Sequence, residues 1–402
     1  MIKKVLPQLC GDDICTGCGA CTSICGKEAL KLLSGKEGFY RPRVDVDKCI
    51  SCGLCEKVCP VINKGKKESL SENHPIVYAA WNRNEKIRME SSSGGAFSAL
   101  AETVLEMGGV VCGAAYAKDM SVSHICVDQI SDLSRLRLSK YVQSYIGDAF
   151  RKVKEYAQQG RMVLFCGTPC QAAGLRNFLR KDYSNVICCD FICHGVPSPM
   201  VYRKYLEWIE GKYGKVTHVN FRDKKKGWYD ALRMISLSSG KKRYLRNDDD
   251  AYWIAFNDNK NLQMACYDCQ FLGFPRIADI TLADFWGIGK SISFGHVDDI
   301  EKGVSLLIGS TDKGKSLINQ SKNKLYYFER TIEEAIERNQ ASVRSSTLPA
   351  SRKDFYRDLE RLKFDEMQRK YMVPNMKTRM VKLFREYLPF WFIKSIRMKG
   401  QK

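Results

Sequence analysis

Cys15-Thr-Gly-Cys18-Gly-Ala-Cys21-Thr-Ser-Ile-Cys25 and Cys49-Ile-Ser-Cys52-Gly-Leu-Cys55-Glu-Lys-Val-Cys59-Pro60 repeat one spacing, C-x2-C-x2-C-x3-C. It is the spacing of a bacterial ferredoxin that holds two [4Fe-4S] cubanes. Three close thiolates wrap one corner of a cubane, and the fourth crosses to the other cluster. The expected ligand sets are therefore Cys15, Cys18, Cys21 and Cys59 for one cluster, and Cys49, Cys52, Cys55 and Cys25 for the other. Zinc sites bring their ligands as separated pairs, and disulfide frameworks belong to small secreted chains. Neither fits four cysteines packed so closely. One departure is visible: Gly26 follows Cys25 where proline is usual.

Outward from this stretch, a chain of 402 residues is expected to fold as two or three domains. Hydrophobic residues make up 44%, enough for an ordinary core. Met1 to Leu9 holds Lys3 and Lys4 but no apolar signal region, and no apolar run is long enough to span a bilayer. The expected location is the cytoplasm. The formal charge is +20, and cubanes held by thiolates would reduce it without reversing its sign. Such a surface suits acidic protein partners or anionic lipid. No zinc finger, recognition-helix pattern or RNA-binding aromatic motif is present, so no nucleic acid partner is expected.

Residues 1–63 read as the two-cluster ferredoxin-type domain, with a short hairpin between Leu30 and Val46. Residues 64–75 read as a polar, lysine-rich linker. Ile76–Trp81 is an expected strand. Ser91-Ser92-Ser93-Gly94-Gly95 then opens a helix whose apolar face is Phe97, Leu100, Ala101, Val104 and Leu105. A Ser/Gly loop at a helix start can cradle a phosphate or a flavin edge. It is equally a serine cap with glycines for close packing. Arg161–Cys166 reads as a strand, Gly167-Thr168-Pro169-Cys170-Gln171 as a turn, and the residues up to Arg180 as a helix. That places Thr168 and Cys170 at the ligand-binding end of a sheet. Strands are expected at 185–192, 216–222, 231–237 and 277–286, with a helix over 200–213. Gly289-Lys290-Ser291 ends like a phosphate loop, but Asp284 stands where the motif needs glycine.

Ten of the 18 cysteines lie outside the ferredoxin spacing. Cys10, Cys112, Cys126, Cys188 and Cys189 read as small core residues. Cys266 and Cys269 form a chelating C-x2-C. With Cys170 and Cys193 at the ends of neighbouring strands they make a four-thiolate site, for zinc or for a third [4Fe-4S] cluster. An unrelated C-x2-C is the plainer alternative. Residues 341–402 are read as a helical basic tail. Its segment 377–402 carries eight Lys/Arg against one acid, Glu386, together with many aromatic residues. Such a segment suits an anionic membrane surface, here the inner face, or docking on its own domain.

The order of Ser-Gly-Gly, Ser139-Lys140-Tyr141, Gly-Thr-Pro-Cys-Gln, Cys193-His194-Gly195-Val-Pro-Ser-Pro, Cys-x2-Cys and Ala278-Asp-Ile-Thr…Asp284-Phe-Trp-Gly resembles the coenzyme F420 hydrogenase/dehydrogenase beta-subunit family, fused to a ferredoxin-type domain. The resemblance covers roughly 76–340, divided into regions 76–158 and 159–340. It implies an α/β (α+β) chain with a flavin-binding domain. It implies FAD near Ser92, Ser93, Gly94, Gly95, Lys140 and Thr168, and supports Cys170, Cys193, Cys266 and Cys269 as ligands of an inner [4Fe-4S] cluster. The activity it implies is that of a ferredoxin-dependent flavoprotein reductase. Electrons would pass from an external ferredoxin through the clusters to FAD and an organic acceptor, with Lys140 and His194 as candidate catalytic residues. Relatives in polysaccharide gene clusters extend this to cell-surface polysaccharide metabolism. The alternatives are reduction of the deazaflavin F420 and a non-catalytic electron-transfer subunit of a larger redox complex.

Overall fold

The computed structural model describes residues 6–63, 75–295 and 300–374. Most of the expected linker, and all of the basic segment 377–402, lie outside them.

The internal repeat becomes a conformational repeat. Gly17 and Ser51 occupy the same place in the two cysteine loops, and both are left-handed, with φ of 66° and 57°. Each aims its N–H at the first thiol of its loop. Gly17 N lies 3.4 Å from Cys15 Sγ, and Ser51 N lies 3.4 Å from Cys49 Sγ. Backbone N–H groups turned inward in this way form a concavity for an anion. The loops run into short helices, α1 (Ala20–Ile24) and α2 (Leu54–Lys57). Between them β1 (Leu30–Ser34) and β2 (Tyr40–Val44) pair antiparallel, as the hairpin reading expected.

The body contains β3 (Ile76–Asn82), β4 (Val110–Tyr116), β5 (Val122–Val127), β6 (Val163–Cys166), β7 (Val186–Phe191), β8 (Val216–Asp223), β9 (Leu232–Leu237), β10 (Lys242–Leu245), β11 (Ile280–Asp284), β12 (Ser305–Gly309) and β13 (Leu325–Glu329). Its helices are α3 (Glu85–Met89), α4 (Ala96–Glu106), α5 (Ala149–Gln158), α6 (Pro169–Leu179), α7 (Pro199–Tyr213), α8 (Ala251–Asn257), α9 (Asp312–Gln320), α10 (Ile332–Glu337), α11 (Arg352–Leu359) and α12 (Phe364–Tyr371). Eight strands form one sheet in the order β13-β3-β12-β11-β7-β6-β4-β5. The middle strands β4, β6, β7 and β11 run parallel, with antiparallel strands at both margins. Helices cover parallel strands on both faces, which explains the unbroken apolar run Val163-Leu164-Phe165. The fold is thus a mixed α/β architecture.

β3 pairs with β12 and β13. Residues 76–158 and 159–340 therefore share one sheet. β8, β9 and β10 form a separate antiparallel sheet. It packs with α7, α8, α11 and α12 around Tyr205, Phe221, Tyr252 and Phe355, all essentially inaccessible.

Two cysteines read as isolated core residues are joined instead. Cys112 on β4 faces Cys126 on β5, and the pair forms a disulfide. Cross-strand partners are the closest side chains in a sheet, and only the pairing reveals them.

The ferredoxin-type domain is locked to the body. Arg352, at the start of α11, holds Glu37 in the β1–β2 turn with contacts of 2.9 and 2.6 Å. Gln143 Oε1 accepts from Tyr40 N at 2.7 Å. Arg151 of α5 donates to the carbonyls of Thr22, Ser23 and Cys25.

Candidate functional site

Cys15, Cys18, Cys21 and Cys59 line one small cavity. Cys10, read as a core residue, belongs to its wall, with its Sγ 3.9 Å from Cys59 Sγ. Hydrogen bonding from Cys10 lowers Cys15 to about 7 and Cys59 to about 6, and the same contacts raise Cys10 itself. Burial pushes Cys21 up to about 12. In the second set Cys49 and Cys55 are buried, Cys25 is half-buried and Cys52 is exposed. The second loop therefore reaches the surface.

The inner set assembles from three separate segments. Thr168 caps α6, accepting from Gln171 N, while Gln171 Oε1 accepts from Thr168 N. Pro169 fills the first helical position, where its missing N–H costs nothing. This cap sets Cys170 in the first turn, where the helix dipole favours negative charge. Cys193 follows β7, while Cys266 and Cys269 lie on a tight turn after α8. All four line one small cavity. Burial pushes Cys170 up to about 12, against the hydrogen bond with Thr168. Burial also pushes Cys266 up to about 11, against the hydrogen bond from the Val196 N–H. Cys193 and Cys269 are raised by burial as well.

Among the described residues, no three His, Cys, Asp or Glu side chains converge on a point for one metal ion. The four thiols surround a cavity, the arrangement suited to a cluster in which each iron takes one thiolate. Thr16 Oγ1 and Gln263 Nε2 are buried there, and Gln143 Nε2 beside Gly17, without a well-formed hydrogen bond. All three can donate, so an anionic cluster suits them. Thr16 lines both cavities. The first ferredoxin site and the inner site thus share a wall.

The residues expected around a flavin are only partly brought together. Ser92 Oγ accepts from Ser139 N at 2.9 Å, which joins the Ser/Gly loop to the segment bearing Lys140. Ser93 Oγ donates to Val304 O at 2.9 Å. Gly94 packs against β3 and β12, where a Cβ would meet Ala80 O at 2.4 Å and Ser305 N at 2.6 Å. Gly95 is left-handed and precedes α4. Lys140 Nζ donates to Arg137 O at 2.5 Å and Arg135 O at 3.2 Å. Burial brings that ammonium down to about 7. The side chains of this set are therefore largely engaged by protein. What the loop still offers are the N–H groups of Ser92, Ser93, Gly94 and Gly95, which meet no acceptor among the described residues. Thr168 stands apart from the loop, beside Cys170, with Oγ1 3.1 Å from its Sγ.

His194 lines the inner cavity but is exposed, and its Nε2 lies 2.6 Å from Asn259 Oδ1. Partial desolvation of the ring lowers its pKa, against the contact with Asn259. Residues that sequence reasoning missed include Thr16, Arg41, Gln143, Gln263 and Lys224. Lys224 Nζ donates to the carbonyls of Arg88, Ser93 and Lys302 at 2.5–2.7 Å and so clamps the base of the serine loop. The available signal was weak: Lys224 is one of three successive lysines in the turn after β8.

Comparison with known proteins follows the same divisions. Residues 77–150 match the coenzyme F420 hydrogenase/dehydrogenase beta-subunit N-terminal model, and residues 160–335 match its C-terminal model. Residues 14–63 match a 4Fe-4S dicluster domain. One subunit of the F(420)H(2) dehydrogenase of Methanosarcina mazei is 24% identical over 185 residues, covering 44% of this chain and 51% of that protein. The chain therefore spans about half the length of that relative. An iron-sulfur subunit of the CoB–CoM heterodisulfide reductase of Methanocaldococcus jannaschii is 38% identical over 66 residues, 13% of this chain and 10% of that one. A chain from the F420-reducing [NiFe] hydrogenase complex of Methanosarcina barkeri aligns with a TM-score of 0.44 at 18% identity, over 73% of this chain and 90% of that one.

Proposed function

From the premise that the chain belongs to the coenzyme F420 hydrogenase/dehydrogenase beta-subunit family and carries a 4Fe-4S dicluster domain, we propose that it is an iron-sulfur electron-transfer subunit of a larger redox complex. The observation that carries this reading is the shared wall: Thr16 borders both the first ferredoxin cavity and the four-thiol inner cavity. When bound, [4Fe-4S] clusters supply one-electron storage and transfer. The chain's part is to hold two sites at a fixed separation, through the Arg352–Glu37 and Tyr40–Gln143 contacts. Cys170, Cys193, Cys266 and Cys269 would hold the inner cluster.

The finer reading adds FAD at the Ser92–Gly95 loop. Its support is the row of unengaged N–H groups at the start of α4, a setting suited to phosphate. An external ferredoxin is the expected donor, and deazaflavin F420 the expected acceptor.

Anaerobic purification with iron, sulfide and flavin counting tests this. About twelve irons are expected, from three cubanes at four irons each, together with one FAD. About eight irons would remove the inner cluster. Iron without flavin would leave only the relay role. Bleaching of F420 under reduced ferredoxin is the expected sign of catalysis.

A further inference from the structure

Arg41 is buried in β2, only 4% exposed, between the two cavities. Its Nη1 lies 3.3 Å from Gln263 Oε1, in the wall of the inner cavity. The same Nη1 would stand 3.5 Å from a Cβ on Gly17, in the wall of the first. Its other hydrogen bonds go to the carbonyls of Asp12 and Tyr40, at 3.0 Å each. Asp12 lies within its electrostatic reach but forms its ion pair with Arg43. Both carboxylate oxygens of Asp12 are taken by Arg43, at 2.9 and 2.6 Å. Among the described residues, no carboxylate forms an ion pair with Arg41.

A guanidinium buried without a counter-charge is costly, and proteins retain one where an anion completes it. Two tetrathiolate clusters, each carrying about −2 when oxidised, would flank this one. The hydroxyl of Thr16 and the amides of Gln143 and Gln263, buried without well-formed partners, point to the same deficit of negative charge. A residue serving only to tie the hairpin would have no need to carry charge.

We propose that Arg41 is the counter-cation shared by the first ferredoxin cluster and the inner cluster, a positioning residue that raises the reduction potential of both. The proposal rests on the reading that the inner thiols hold a cluster. A cation stabilises the reduced, more negative state of each cluster over the oxidised one. It also lessens the repulsion between two clusters set across one wall. The cluster of Cys49, Cys52, Cys55 and Cys25 lies outside this arrangement, since Arg41 touches none of its ligands in the described contacts.

The test is an EPR-monitored redox titration of the full chain, reconstituted anaerobically, with iron counted in every sample. Arg41→Gln is expected to keep its iron and to shift two of the three midpoints negative. The shift should be at least tenfold in the one-electron reduction equilibrium, about 59 mV. The third midpoint should stay in place, and Arg41→Lys should recover most of the change. Unmoved midpoints at full iron, or an equal shift of all three, would overturn the proposal. If Arg41→Gln loses iron, Gln263→Glu decides instead, by placing a carboxylate against Nη1. The same two midpoints should move negative, and their staying in place would overturn the proposal. A wild-type count of about eight irons removes the inner cluster, and with it the shared role, before any variant is read.

Discussion

Thr168 caps α6, and the cap decides where Cys170 stands. Gly-Thr-Pro-Cys-Gln was legible as a turn before a helix, because proline after a hydroxyl residue is a helix-start signal in any context. Lys140 was not legible in the same way. A Ser-Lys-Tyr triplet does not say whether its ammonium meets water, carbonyls or a ligand. In the fold it meets two carbonyls, and burial lowers it to about 7, far below the usual lysine value. The consequence for stability has a definite sign. Between about pH 7 and pH 10 the unfolded chain keeps a proton that the folded chain has released, so this site adds stability as pH rises. Urea denaturation across that range should show wild type gaining on Lys140→Met. A difference that stays flat with pH would mean Lys140 keeps its charge when folded. Lys224 is present in both proteins and cancels.

At the scale of elements, α1 and α6 meet because Gly174 has no side chain. A Cβ there would lie 2.9 Å from Cys18 Sγ and 3.1 Å from its Cβ. Gly174→Ala should push Cys18 out of place and lower the iron content of the first ferredoxin site, while the fold tolerates the helix-favouring alanine. Iron counting against circular dichroism checks this, and a variant with full iron would show that the helices can separate cheaply. The strongly periodic helices over 97–105 and 200–213 and the strands at β3, β6 and β7 were readable from pattern alone. β5, β10, β12 and β13 were not. They are short, and a run such as Ser305–Gly309 suits a strand or a buried turn of helix equally well. Cys112 and Cys126 became a pair only once β5 was seen beside β4.

For the whole molecule, the question is how the ferredoxin-type domain is held. Arg352 is nearly inaccessible and grips Glu37 with both of its terminal nitrogens, and it also donates to Leu262 O. Arg352→Ala removes that clamp and leaves Glu37 without its cation. Because Glu37 is partly exposed, a loss at the low end for such pairs is expected, roughly 3 kcal/mol. Urea denaturation would measure it, and limited proteolysis should then cut residues 6–63 away from the body first. An unchanged midpoint would place the attachment elsewhere, in the Arg151 and Gln143 contacts. No helix among the described residues is long and apolar enough to cross a membrane.

By itself the sequence determined the two-cluster spacing, the main helices and the order of motifs that marks the family. Each of these depends on residues close together in the chain, where spacing and geometry are tied. The tertiary structure alone decided that Cys170, Cys193, Cys266 and Cys269 face one cavity, that Thr16 joins it to the first ferredoxin site, and that Arg41 lies between them. Those relations link residues as far apart as 16 and 269. Sheet pairing and domain docking bring them together, and neither leaves a local trace in the order of amino acids.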